Sequence, residues 1–242
     1  MTGKPLGRFY AVGLGPGDPE LLTRKAERIL REVDWIFLPG ESARQVSFAG
    51  AILAPLGLPA DKFRSVSLCM TREPGINSDR YRSAAREIIE GLHAGKSIAW
   101  ATEGDPLFYS TFLQLRQRLL EVAPDLEIEV VPGISSVNAA AARVGMPVAV
   151  RDEKVAIVPA TYGIDCLPKL LAEFATVFLL KVHLVFDQLL DMLGTADMAC
   201  EGCYLENIGT DRERVVHDLE SLRGQKLPYF SLVILRKLAG ET

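Results

Sequence analysis

Short apolar runs and longer amphipathic stretches alternate along this chain. RFYAV (8–12), WIFL (35–38), SVSLC (65–69), SIAW (97–100) and EIEVV (127–131) are too short for helices and read as strands. Helical spacing of apolar positions predicts helices over 21–33, 46–56, 79–93 and 107–120. In the first of these, Leu22, Ala26, Ile29, Leu30 and Val33 share one stripe. Strand, loop, helix and strand in succession imply parallel strands joined by right-handed crossovers, so the chain as far as 131 reads as an α/β sheet of about five strands. After Pro132-Gly133 the character changes. SSVNAAAARVG (135–145) is a small-residue helix with a serine cap and a glycine stop. Strands are predicted over 154–159, 176–182, 198–205 and 229–238, with helices over 184–193 and 211–219, giving a second, mixed sheet. The expected fold class is therefore α/β with two lobes, each a sheet flanked by helices. The boundary is placed at Ala123–Pro124, giving an N-terminal domain over 1–123 and a C-terminal domain over 124–242.

Two glycine loops fall at strand–helix junctions, where ligand sites concentrate. The first, GLGPGDP (13–19), invites comparison with the dinucleotide fingerprint G-x-G-x-x-G, but the third glycine is replaced by Asp18. A carboxylate there would face a diphosphate, so a nicotinamide-dinucleotide site is the weaker reading. The second loop lies within ATEGDPLFYSTF (101–112). Gly104 permits a tight turn and close approach of a ligand to the backbone. Asp105 suits a helix N-cap with Pro106 at the first helical position. On those residues alone, a well-capped strand-to-helix loop is the better account.

Composition narrows the field. Across 242 residues the formal net charge is −4, which argues against a general nucleic-acid binder but leaves room for an acidic small molecule held by local arginines. Cys69, Cys166, Cys200 and Cys203 read as reduced, mostly buried thiols; Cys200 and Cys203 form a lone C-x-x-C inside a predicted strand, so neither a disulfide framework nor a metal site is expected. His93, His183 and His217 are scattered, with no spacing that suits a hydrolase or metalloenzyme. Lys181, ending an apolar run, reads as a lysine reaching from a strand end to solvent. No apolar run has membrane length, and the start of the chain lacks a signal-like core, so a cytoplasmic protein with no membrane association is expected.

Taken together, GLGPGDP (13–19), Gly104-Asp-Pro106, VPGISS (131–136) and the late LEN (205–207) resemble, in order and spacing, the tetrapyrrole methylases, the class III S-adenosylmethionine-dependent methyltransferases of sirohaem and cobalamin synthesis. The resemblance covers essentially the whole chain. Within the family, TEGDPLFYSTF (102–112) and LPYFSL (227–232) are similar to the C(20)-methyltransferases of precorrin-2 and cobalt-factor II. The resemblance implies a homodimer with its active site in a trough between lobes. It also implies S-adenosylmethionine as cofactor, leaving as S-adenosylhomocysteine, with a tetrapyrrole as partner. Gly104, Asp105, Pro106, Leu107, Ser135, Ser136, Leu180, Asn207, Ile208, Ser231 and Leu232 match the donor-binding positions. Gly13, Gly15, Gly17 and Asp18 fall on the tetrapyrrole side. The chain departs from the commoner pattern with Leu180-Lys181 where uroporphyrinogen methylases tend to have Met-Gly, and with Asn207-Ile208 in place of an Arg-Gly-type pair.

Methylation of a meso carbon requires a proton to leave it afterwards; Asp18, Glu206 and Tyr109 are the candidate acceptors. A ring bearing several carboxylates needs local cations. Arg8, Arg44, Arg72, Arg80, Arg143 and Arg151 lie near predicted strand ends or loops, with Arg44 and Arg72 singled out as the clamp. Two alternatives compete: a methylase of the same family acting at another ring carbon, and a nucleotide-binding α/β protein with Gly13 to Gly17 as a phosphate cradle and Glu41 on the ribose.

Overall fold

The early strands send successive side chains to opposite faces, and helices cover both. The computed structural model describes residues 6–40, 47–69, 75–195 and 200–237. Strands β1 (Phe9–Gly13), β2 (Trp35–Gly40), β3 (Phe63–Ser67), β4 (Ile98–Thr102) and β5 (Ile128–Val131) form a parallel sheet in the order β3-β2-β4-β1-β5. On one face Phe9, Ala11, Phe37 and Trp100 pack with Ile88 of α3 (Ser78–His93) and Leu115 of α4 (Phe112–Val122). On the other, Val12, Ile36 and Ala101 pack with Ile29 of α1 (Arg24–Glu32) and Ile52 of α2 (Phe48–Leu53). Burial of both faces is why the inner strands β1, β2 and β4 read as continuous apolar runs. The side chains of Thr23 and Ser47 accept from Ala26 N (3.1 Å) and Gly50 N (3.0 Å) and so start α1 and α2.

That strand order positions the site. The connections through α1 and α2 lead from β1 to β2 and β3 over one face; those through α3 and α4 lead to β4 and β5 over the other. The connections leaving the adjacent strands β1 and β4 therefore run to opposite faces of the sheet. Open α/β sheets bind ligands at the carboxyl ends of the strands at such a switch point.

A second sheet follows α5 (Ser136–Val144). It contains β6 (Val155–Pro159), β7 (Thr176–Leu180), β8 (Cys200–Glu206), β9 (Arg214–Val216) and β10 (Ser231–Lys237) in the order β6-β7-β10-β8-β9. It is mixed, as expected: β6 and β7 are parallel and the remaining pairs antiparallel. Val177, Leu179, Tyr204 and Val233 build its core with Leu167 and Leu171 of α6 (Leu167–Glu173) and Phe186 and Leu189 of α7 (Phe186–Thr195). Arg236 of β10 forks onto both Glu153 carboxylate oxygens (2.9 Å each) and donates to Thr176 Oγ1 (2.6 Å) and the Pro147 carbonyl (3.2 Å).

Several expectations shift. The two compact units are Met1–Ser135 and Ser136–Thr242, whereas the sequence placed the boundary at Ala123–Pro124; β5 pairs along β1 and keeps that segment with the first unit. Helix α4 begins at Phe112 rather than 107, because Ser110 Oγ accepts from Phe112 N (3.2 Å) and Tyr109 turns the chain at φ 51°. The helix expected over 211–219 is instead strand β9, whose Arg214-Val-Val216 pairs with Tyr204–Glu206; its β-branched valines favour a pleated edge. Helix α6 was not anticipated. Of the free thiols, Cys69 and Cys166 are exposed, Cys200 is half-buried and Cys203 is buried, so the set is not mostly buried.

Candidate ligand-binding loops

The carboxyl ends of β1, β4 and β5 are knotted together by three glycines. A methyl group on Gly133 would lie 2.1 Å from the Gly104 carbonyl and 2.9 Å from Gly13 Cα; one on Gly13 would lie 2.6 Å from both Gly104 O and Gly133 N. Only hydrogen side chains let these backbones meet. Gly15 and Gly104 exchange backbone hydrogen bonds, Gly104 N donating to Gly15 O at 2.7 Å and Gly15 N to Gly104 O at 3.3 Å. The two glycine loops thus form one unit.

Asp105 locks the third loop to it. Its Oδ1 accepts from Leu107 N (2.8 Å) and its Oδ2 from Gly133 N (3.0 Å). The carboxylate therefore organises the loop around Pro106 and ties it to the β5 loop, in place of the helix cap expected of it. Gly104 has φ 63°, and a methyl group there would meet nothing within 4 Å. Its outer side is open, as a ligand approaching the backbone requires. Leu107 and Tyr109 are exposed on the same loop. Asp18 caps the short turn Pro19–Leu21, its Oδ1 accepting from Glu20 N at 2.8 Å.

In the second unit the expected residues gather at one end of the sheet. Leu180 pairs with Leu232, Leu232 with Leu205, and Ser231 with Glu206. Two non-glycine residues with left-handed backbone flank Ser231: Lys181 (φ 59°), whose N–H donates to Ser231 O at 2.7 Å, and Asn207 (φ 49°), whose N–H donates to Phe230 O at 2.9 Å. Each such residue costs about 1–2 kcal/mol, and strain of this kind clusters at functional sites. Lys181 was expected simply to reach for solvent; its ammonium instead lies over the Tyr229 ring. Ile208 and Leu180 are buried apolar residues beside these turns.

Glu206 accepts a hydrogen bond from the hydroxyl of Tyr204, a residue wholly buried. Burial, then the bond to Glu206, pushes the phenol far above its ordinary range. The Asn207 turn is held from behind: Glu213 accepts from Gly209 N (2.8 Å) and pairs with Arg143. Burial raises the Glu213 carboxyl, but the Gly209 N–H and Arg143 outweigh it and leave the carboxyl below its usual range. Arg143 is thereby engaged within its own unit.

The structure thus brings Gly13, Gly15, Gly104, Asp105 and Pro106 together in the first unit, with Gly17 further along the first loop. It brings Leu180, Glu206, Asn207, Ile208, Ser231 and Leu232 together in the second. Ser135 precedes α5 and Ser136 begins it. Arg44, Arg72 and Glu41 lie outside the described residues. Sequence reasoning missed the packing role of Gly133, whose pairing with Gly104 comes only from the parallel sheet, and Tyr204, whose apolar setting hid its bond to Glu206.

These features define an α/β protein with candidate ligand-binding loops at the carboxyl ends of its strands. The sequence pattern of the Tetrapyrrole (Corrin/Porphyrin) Methylases matches residues 8–222, and the chain belongs to that family. Among its relatives, the cobalamin biosynthesis protein CobIJ of Mycobacterium tuberculosis is 31% identical over 95% of this chain, which spans only 46% of that longer protein. The precorrin-2 C(20)-methyltransferase of a Sinorhizobium species is 29% identical, with 97% of each chain covered. Among solved structures, the uroporphyrin-III C-methyltransferase of Thermus thermophilus, complexed with S-adenosylhomocysteine, is 25% identical and superposes with a TM-score of 0.68 over 95% of this chain and 97% of its own.

Proposed function

We propose that this protein transfers a methyl group from S-adenosylmethionine to the C-20 meso carbon of precorrin-2 or cobalt-factor II, a step of cobalamin synthesis. The observation that carries the reading is the family match over residues 8–222, together with the open backbone of Gly104 at the switch point of the first sheet. The named activity of the Sinorhizobium relative, similar from end to end, supports the choice of ring carbon. The homologous Thermus complex supports the donor.

The donor is held by Gly104, Asp105, Pro106, Leu107, Ser135 and Ser136, and by Leu180, Asn207, Ile208, Ser231 and Leu232. The open side of Gly104 fits a ligand laid against backbone, with Asp105 acting through the loop it ties rather than through direct contact. When bound, S-adenosylmethionine supplies an electrophilic methyl group on a sulfonium. The residues of this chain contribute chiefly orientation, which lowers such barriers by about 7–11 kcal/mol when reactants are held near attack distance. Leu180 and Ile208, both buried and apolar, would exclude water from the donor. Of the three proton acceptors considered, Glu206 is best supported, because a buried hydroxyl orients its carboxylate; Asp18 is engaged in capping, and Tyr109 sits on an exposed turn. In this proposal Gly13, Gly15, Gly17 and Asp18 take the ring, and Arg44 and Arg72, which lie outside the described residues, are the cations assigned to its carboxylates. The enzyme is a cytoplasmic homodimer in this proposal; among the described residues no helix is long and apolar enough to cross a membrane.

Incubation with S-adenosylmethionine and precorrin-2, followed by mass spectrometry and NMR of the product, tests the reading. One new methyl group at C-20 is expected. Methylation at another carbon would move the protein elsewhere in the family, and calorimetric preference for NAD over S-adenosylhomocysteine would sink the methylase function.

A further inference from the structure

Lys181 leaves β7 with φ 59° and ψ 48°, a conformation natural to glycine and strained for lysine. The backbone explains the turn: Lys181 N donates to Ser231 O at 2.7 Å, carrying the β7–β10 pairing one step past Leu180 and Leu232. It does not explain the side chain. The ammonium lies 5.2 Å from the centre of the Tyr229 ring, close enough for attraction to the π-face. That ring is braced edge-on by His183 at 5.4 Å and Phe230 at 5.3 Å.

Four other cations of this unit are paired with carboxylates. Arg143 pairs with Glu213, Lys154 with Glu173, Arg223 with Asp191 and Arg236 with Glu153. Among the described residues no carboxylate pairs with Lys181. A half-buried cation is thus oriented by an aromatic ring, on a backbone that glycine would relax, directly beside Leu180 and Ser231.

We propose that Lys181 is a specificity-determining cation that binds a ligand carboxylate in the methyl-transfer site, an inference that rests on the methyl-transfer function above. The carboxylate comes either from the amino-acid end of the donor or from an acetate or propionate arm of the ring. Like charge keeps the ammonium away from the sulfonium itself. An uncharged ligand group would gain little from this side chain, so the strain is retained for the charge.

The variants Lys181→Gly and Lys181→Arg test it. Lys181→Gly should melt no lower than the parent, because glycine suits the backbone. Calorimetry with S-adenosylhomocysteine and with 5′-methylthioadenosine, which lacks the amino-acid end, reads the donor arm. The KM for precorrin-2 reads the ring arm. Lys181→Gly should weaken one carboxylate ligand by about tenfold to a hundredfold, the range of a charge-assisted hydrogen bond, with Lys181→Arg recovering most of it. Loss confined to S-adenosylhomocysteine, with 5′-methylthioadenosine unchanged, assigns the donor carboxylate. Unchanged donor affinity with a raised KM and a steady kcat assigns the ring. Equal loss for both adenosine ligands, or no change in donor affinity or KM, overturns the role of Lys181 while leaving the methylase function standing. A parent protein that binds no S-adenosylhomocysteine and methylates no ring ends both.

Discussion

At the scale of the residue, the three glycines of the first unit separate packing from ligand access. Gly133→Ala would drive a methyl group to 2.1 Å from the Gly104 carbonyl, a backbone atom that cannot step aside. A loss of about 3 kcal/mol or more in urea unfolding is expected, at the upper end for overpacking. Gly104→Ala meets no neighbour within 4 Å but must hold φ 63°, at a cost of about 1–2 kcal/mol. Its larger effect should be on S-adenosylhomocysteine affinity, because the added methyl occupies the open side. Asp105→Ala removes the acceptor for Leu107 N and Gly133 N together. Half-exposure discounts these charge-assisted bonds to about 2 kcal/mol in all, seen as a lower urea midpoint with weaker donor binding. Gly104 and Asp105 stood out in the sequence because they end a strand. Gly133 was visible only within VPGISS (131–136); its packing role was not, since its partners Gly13 and Gly104 lie far away along the chain.

At the scale of the element, apolar periodicity served best where strands are buried on both faces and worst at edges. Strands β1, β2 and β4 were legible because each is a short apolar run between breakers, whereas edge strand β3 (Phe63–Ser67), with an arginine and two serines, begins two residues before the 65–69 expected. Strand β9 was not legible, for Arg214-Val-Val216 is short and lies at a sheet edge, where only pairing with β8 decides its conformation. The start of α4 was misplaced for a related reason: Leu107 and Tyr109 fit a helical stripe, yet Asp105 and Ser110 side chains capture the backbone N–H groups of Leu107 and Phe112. The fork from Arg236 to Glu153 ties β10 to the segment before β6, and it carries a pH signature. Arg236, then the Val150 N–H, holds the Glu153 carboxyl below its usual range. With the folded value depressed, this stabilisation is present above the unfolded pKa of about 4.3 and lost as pH falls through the folded value. Glu153→Gln should therefore lower the melting temperature at neutral pH and flatten its decline on acidification, read by thermal melts from neutrality to about pH 3.

At the scale of the whole molecule, a net charge of −4 must coexist with a polyanionic ring, so positive charge has to be local rather than general. Arg143, once a candidate clamp, is engaged by Glu213, which shifts attention toward cations lacking such partners. If the proposed homodimer forms, light scattering behind size exclusion should give about twice the 26.5 kDa of one chain. A monomer mass at micromolar concentration would rule that out without touching the chemistry of the loops.

Composition, apolar spacing and the loop motifs by themselves determined the α/β class, the parallel first sheet, the mixed second sheet and the family, because each is written in contiguous residues. Tertiary structure alone decided that three distant glycines meet, that Asp105 ties two loops, that Tyr204 orients Glu206 and that Lys181 stands on a strained turn over an aromatic ring. These depend on strand order and register, which bring residues far apart in the chain within hydrogen-bonding distance. No local pattern encodes such distances, since the same strands in another order would make different neighbours.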